Sequence, residues 1–166
     1  MEKVASHPLI DDFYVDPKTY ALQTEMIFTI MHYHDIMKAL NDGLFEEDVV
    51  SDLFFDGAEA YTSFTLSRDD MKAFVSLLRS LQKRIPVPTR VFFLNASTEF
   101  LMERVKSRGR DYEKPMTFEY LDGVNRSFKA FIKGYRRAPV TVLDAEKLYR
   151  QSPRETLREI EPFTKG

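Results

Sequence analysis

The chain has no cysteine, which excludes disulfides, thiolate nucleophiles and cysteine-ligated zinc. No apolar run approaches the roughly 20 residues needed to span a bilayer. The opening stretch MEKVASHPLIDDFY lacks the continuous apolar core of a secretory signal, so a soluble, cytoplasmic protein that keeps away from membranes is expected. Charge of one sign is missing too: the formal net charge is −2, which offers no broad positive field and argues against a nucleic-acid partner. There are three histidines. His32 and His34 stand two apart on a predicted helix and point to different faces, so no metal site is expected from them.

What is present is an ordinary globular mixture, 43% hydrophobic and 30% charged over 166 residues. That length suits a single domain, residues 1–166, with a substantial core. Residues through Tyr14 read as a strand end and a loop. Pro17 suits the first turn of a helix, and Leu22, Met26, Ile30, Tyr33, Met37 and Leu40 recur in steps of three and four, predicting a long amphipathic helix from Pro17 to Leu40. The Asn41–Gly43 stretch ends it. Asp48–Asp52 is a candidate strand, followed by helical turns around Gly57. Ser67 caps a helix running to about Arg84, after which Pro86 and Pro88 force an extended turn.

The apolar run Val91–Leu94 predicts a buried strand. Ser97 caps the next helix, with Glu99 favourably placed in its first turn. The helical spacing of Phe118, Leu121, Val124, Phe128 and Phe131 predicts another helix. Val140–Leu143 is a further strand, and a last helix starts near Ser152. Short apolar strands alternating with helices imply an α/β domain with a mostly parallel sheet.

One stretch stands out, ERVKSRGRDYEKP, Glu103–Pro115. Arg104 and Arg108 are four apart and share a helical face, Gly109 stops the helix, and Arg110 then projects from a loop. Three guanidiniums at a helix end can grip phosphate, because each planar fork holds two oxygens at once. The same residues also fit a solvated helix end answering its dipole.

The segment ERVKSRGRDYEKPMTFEYLDGVNRSFKAF resembles the lid and following helix of the deoxynucleoside kinase family, the bacterial deoxyguanosine and deoxyadenosine kinase type. HPLIDDFYVDPKTYALQTEMIF, His7–Phe28, is similar to that family's Phe-Tyr-x-Asp-Pro and Tyr-Ala-Phe-Gln segment. VVSDLFF sits at its acidic strand end, and PVPTRVFFLNAS resembles the strand and turn before the lid. Four blocks in the family's order span nearly the whole chain. The resemblance implies a P-loop-kinase-like α/β fold, a parallel sheet flanked by helices. It also implies a homodimer formed through the Pro17–Leu40 helix, and transfer of the ATP γ-phosphoryl, with Mg²⁺, to the 5′-hydroxyl of a deoxynucleoside.

Carried over residue by residue, Arg104, Arg108 and Arg110 contact the phosphates. Glu113 and Tyr14 bind the sugar 3′-hydroxyl, and Gln23 pairs with the base through its carboxamide. Leu22 and Phe28 wall the base pocket. Asp52 lies near the 5′-hydroxyl, and Glu2 falls at the general base in the frame EKVASHP. Each position also has a plainer reading: a packed aromatic for Tyr14, an exposed helix residue for Gln23, core for Leu22 and Phe28, a strand-end cap for Asp52 and a frayed terminus for Glu2.

The family also opens with a Gly-x-x-x-x-Gly-Lys-Ser/Thr loop, and none of the six glycines here begins one. The resemblance therefore implies that the written start is late and that the N-terminal strand, loop and helix are missing, on the order of 30 to 45 residues by the size of a βαβ unit. Two other readings follow from the same gap. One is a catalytically inactive module that binds a nucleoside or partners a complete kinase. The other is a fragment with an exposed sheet edge.

Overall fold

The computed structural model describes residues 7–43, 49–52 and 54–163. The described residues begin with a short helix, α1 (Ile10–Val15), where the end of a strand and a loop were expected. Asp11 and Asp12 in its first turn suit the positive end of the helix, and Ile10 and Phe13 bury its inner side. Asp16 then accepts from the Thr19 amide at 3.2 Å, with Pro17 following, and starts α2 (Pro17–Asn41). The remaining helices are α3 (Ala58–Thr65), α4 (Arg68–Gln82), α5 (Thr98–Arg108), α6 (Phe118–Gly134), α7 (Ala145–Arg150) and α8 (Pro153–Ile160). Ser67, Ser97 and Ser152 cap α4, α5 and α8 as their side-chain chemistry predicts.

Helix α2 is covered from two sides. On one side Ala21 joins Ile10 and Phe13, with Tyr14, Tyr20, Phe28, Tyr112 and Tyr120 packed around them. On the other, Leu22, Met26, Tyr33 and Ile36 pack against Phe55, Phe74 and Leu78. The expected apolar stripe is therefore only half the story. Ile30 is 54% exposed, while the deeply buried residues of α2 are Ala21, Thr24, Glu25 and Thr29. His7 ties the entry of the chain to this helix. Its Nε2 lies 3.1 Å from the Thr24 carbonyl, its Nδ1 accepts from the Leu9 amide at 3.1 Å, and its ring sits tilted against Phe28 with centroids 4.1 Å apart.

Strands β1 (Val91–Asn95) and β2 (Val140–Asp144) pair in parallel, Val91 opposite Val140, and α5 and α6 form the crossover between them. The expected parallel sheet thus has two strands among the described residues. Residues 49–52 of the expected Asp48–Asp52 strand are loop, and Asp48 lies outside the described residues. Burial is also shallower than the apolar runs suggest. Val91 and Leu143 are buried, but Leu94 and Val142 are 57% and 59% exposed. No described helix is long and apolar enough to cross a membrane.

A polar node locks the layers together. The buried Asp56 carboxylate accepts from Gln82 Nε2 on α4 at 2.8 Å, from the Tyr135 hydroxyl at 2.7 Å and from the Arg137 guanidinium. Burial, and the hydrogen bond to Asp56, hold the Tyr135 phenol well above its ordinary pKa. Asp56→Ala leaves these donors without their acceptor and is expected to cost about 2 to 4 kcal/mol of stability, read as a lowered urea midpoint. A loss under about 0.5 kcal/mol, the size of an ordinary surface substitution, would refute the node's structural role.

Candidate active site

The β1–α5 turn is fixed before the arginines begin. Asn125 and Lys129 of α6 donate to the Ala96 carbonyl at 3.2 and 2.9 Å, and Ser97 donates through both N and Oγ to Glu146 of α7 at 3.0 and 2.6 Å. Helix α5 therefore leaves the sheet from a braced base. It ends at Gly109, whose φ of 65° is a left-handed cap that glycine adopts without strain. The reversal sends Arg110 back toward the end of the helix that Arg108 closes.

Two of the three expected arginines converge on one carboxylate. Glu113, 6% exposed, accepts from Arg108 Nε at 3.1 Å and Nη2 at 2.6 Å, a bidentate fork, with Arg110 Nη1 at 3.8 Å. Arg110 also donates to the Tyr112 hydroxyl at 2.9 Å. Arg104 is directed elsewhere. Its guanidinium lies 4.3 Å from the Tyr149 ring centroid, donates to that tyrosine's hydroxyl, and pairs with Glu103 at 2.9 Å. The expected three-arginine clamp is thus a pair, with the third arginine against α7.

Beside the pair lies a tyrosine cluster. The Tyr14 and Tyr112 rings stack at 6.2 Å, and Tyr120 meets Tyr14 edge-on at 6.5 Å. Burial, then the Glu113 charge, pushes the Tyr14 phenol far above its ordinary pKa, so it stays protonated and able to donate. Tyr14, Glu113, Arg108 and Arg110 therefore share one site. Phe28 belongs to the same side of α2, between His7 and His32.

Other expected residues fall differently. Leu22 packs into the Phe55–Phe74–Leu78 core on the opposite side of α2. Gln23 is exposed, because α2 turns it away from both clusters. Asp52 is exposed in the loop before Phe54, and Glu2 lies outside the described residues. Two shallow concavities lie elsewhere, along Met71, Val75 and Arg79 of α4 and beside Arg136 and Pro139. Among the described residues no group of acidic or imidazole side chains could hold a metal.

Residue-by-residue reasoning missed Glu25, Tyr112 and Tyr120. Glu25 carried a signal in its place one helical turn after Ala21. It is 8% exposed, and burial alone pushes its carboxyl up to about 8.

The fold and site together define a parallel-sheet domain with an arginine arm closed over an aromatic cluster on a central helix. The chain belongs to the deoxynucleoside kinase family, whose model matches residues 1–164. It is 26% identical over 148 residues to a deoxyguanosine kinase of Bacillus subtilis (strain 168), covering 87% of this chain and 72% of that one. It is 28% identical over 157 residues to a deoxyguanosine kinase of Lactobacillus acidophilus, covering 88% and 68%. A solved deoxyadenosine kinase from M. mycoides with bound dATP shares the fold with a TM-score of 0.81 at 19% identity, over 100% of this chain and 85% of that one.

Glu25 gives the site a pH signature. Unfolded, it titrates near 4.5, and folded, near 8. Between those values the folded chain holds the extra proton, so this group's stabilisation is full below about 4.5 and declines as pH rises toward about 8. Relative to Glu25→Gln, the wild type is expected to lose up to a few kcal/mol of unfolding free energy between about pH 5 and about pH 8. Denaturant melts at stepped pH measure this, and a difference that stays constant with pH would show an ionised Glu25.

Proposed function

We propose that this chain carries the acceptor site and lid of a kinase that moves the γ-phosphoryl of ATP to the 5′-hydroxyl of a deoxynucleoside. The observation that carries the reading is the meeting of Arg108 and Arg110 with Glu113 and Tyr14 over one aromatic cluster. Phosphoryl transfer is catalysed mainly by positioning and by positive charge where the transferring group develops negative charge. The planar forks of Arg108 and Arg110 suit phosphate oxygens and sit on a braced arm. Glu113 has lone pairs beyond those given to Arg108 and accepts the sugar 3′-hydroxyl proton, while the protonated Tyr14 phenol donates to or accepts from the same hydroxyl. Phe28 flanks the base. Arg104 joins the phosphates only by leaving Tyr149.

A carboxylate orients and deprotonates the 5′-hydroxyl, with Glu2 and Asp52 as its candidates. ATP supplies the phosphoryl group, and the arginine pair fits its anionic end. Mg²⁺ would be held mainly by the ATP phosphates and water, with one or two protein oxygens. The physiological setting we infer is cytoplasmic, with two copies associating through α2.

In that kinase, with its phosphate loop present, Arg108→Ala is expected to lower turnover by on the order of 100- to 1,000-fold, measured as deoxynucleoside-dependent ADP release. Arg108→Lys, a point charge without the fork, should recover only part of it. Full turnover in Arg108→Ala would overturn the lid assignment.

A further inference from the structure

Two arginines on one face of α5 part company. Arg104 and Arg108 stand four residues apart, so the helix delivers both to the same side. Arg108 turns to Glu113, whereas Arg104 turns to Tyr149 of α7. The Arg104 guanidinium lies 4.3 Å from the Tyr149 ring centroid and 5.5 Å from that of Phe100, one turn earlier on α5. The two rings themselves meet edge to face at 5.5 Å. Arg104 thus sits in an aromatic corner, with Nη1 donating to the Tyr149 hydroxyl and Nη2 to Glu103 at 2.9 Å.

This pose leaves the guanidinium incompletely satisfied. Its Nε–H is buried and, among the described residues, has no hydrogen-bond partner. A buried donor without an acceptor costs free energy. The two groups that hold the rest of the fork are exposed, Tyr149 at 61% and the Glu103 side chain at 70%, and contacts of that kind are individually weak. A pair of phosphate oxygens approaching side-on satisfies Nε and one Nη together, which the single oxygen of Tyr149 does not. The bare Nε marks a guanidinium that is parked, with a better partner still to come.

We propose that Tyr149 is a positioning residue that keeps Arg104 away from the Arg108–Arg110 pair until an oligophosphate displaces it. This inference rests on the kinase reading and adds to it a residue outside the arm. The parking place is fixed relative to the arm's root, because Glu146 of α7 accepts from both the amide and the hydroxyl of Ser97, the cap of α5. Ring and hydroxyl hold Arg104 separately, the ring by cation–π attraction and the hydroxyl by accepting one N–H. While Arg104 is parked, only the fraction of molecules in which it is free can bind with all three arginines, and apparent affinity falls by that fraction. Removing Tyr149 therefore tightens the grip on an oligophosphate, the opposite of what loss of a binding or packing residue does.

Calorimetric titration of inorganic tripolyphosphate into the full chain tests this without requiring turnover. Tyr149→Leu is expected to bind the probe about three- to tenfold tighter than the wild type, and Tyr149→Phe, which keeps the ring, about twofold tighter. Arg104→Ala should weaken binding, and in that background Tyr149→Leu should bring no gain; a purely structural role for Tyr149 would lower affinity in both backgrounds. The Arg104 Nε–H proton resonance, assigned by its loss in Arg104→Lys, gives a second readout. The Phe100 and Tyr149 rings shift it from the position of free arginine, and either saturating tripolyphosphate or Tyr149→Leu should move it back. If Tyr149→Leu fails to fold, Tyr149→Phe and the resonance decide. Tripolyphosphate binding that leaves the Arg104 resonance in place and ignores Tyr149 would overturn this inference and leave the kinase reading standing. An equal gain with Arg104 removed would overturn it as well. Failure of every one of these chains to bind tripolyphosphate would overturn both this inference and the arm's grip on phosphate.

Discussion

The double coverage of α2 is the constraint on which the rest depends. A helix packed on one side needs one apolar stripe; a helix packed on two needs two, and the second need not look apolar. In α2 the large residues Leu22, Met26 and Tyr33 face one core, while the side toward Ile10 and Phe13 carries the small Ala21. The small side chain there lets α1 approach closely and brings Tyr14 over the helix. The aromatic cluster, the buried acid and the carboxylate of Glu113 all lie where they do because that side of α2 is narrow and shielded from water.

This arrangement explains what could be read from the sequence. Helix ends were legible because capping is local chemistry: Ser67, Ser97, Ser152 and Gly109 all act within a few residues of themselves. Both strands were legible as apolar runs. Helix α1 was not, since six residues hold too few turns to show a period. Helix α7 was missed because its cap, Asp144, is also the last residue of β2.

The site divides along the same line. Arg108, Arg110 and Glu113 are separated by a few residues and one left-handed glycine, so their convergence was visible in the spacing. Arg104 left the group because of Tyr149, a ring from a distant part of the chain that no local pattern announces. Gln23 and Glu25 are two residues apart on one helix and point to different surroundings. Only the position of α1 and α6 around α2 decides which of the two is enclosed, and that is tertiary information.

The arm's charges have a consequence for how an anion would be captured. Arg108 is matched by Glu113, Arg104 by Glu103 and Lys114 by Asp111. An arriving phosphate would therefore meet guanidiniums already engaged, and gripping it would mean exchanging partners rather than satisfying a bare charge. Such an exchange nearly cancels in Coulomb energy, so what remains to discriminate among anions is shape: how well planar forks meet oxygens. The arm should also exert little pull at a distance, which makes capture depend weakly on ionic strength and strongly on contact geometry.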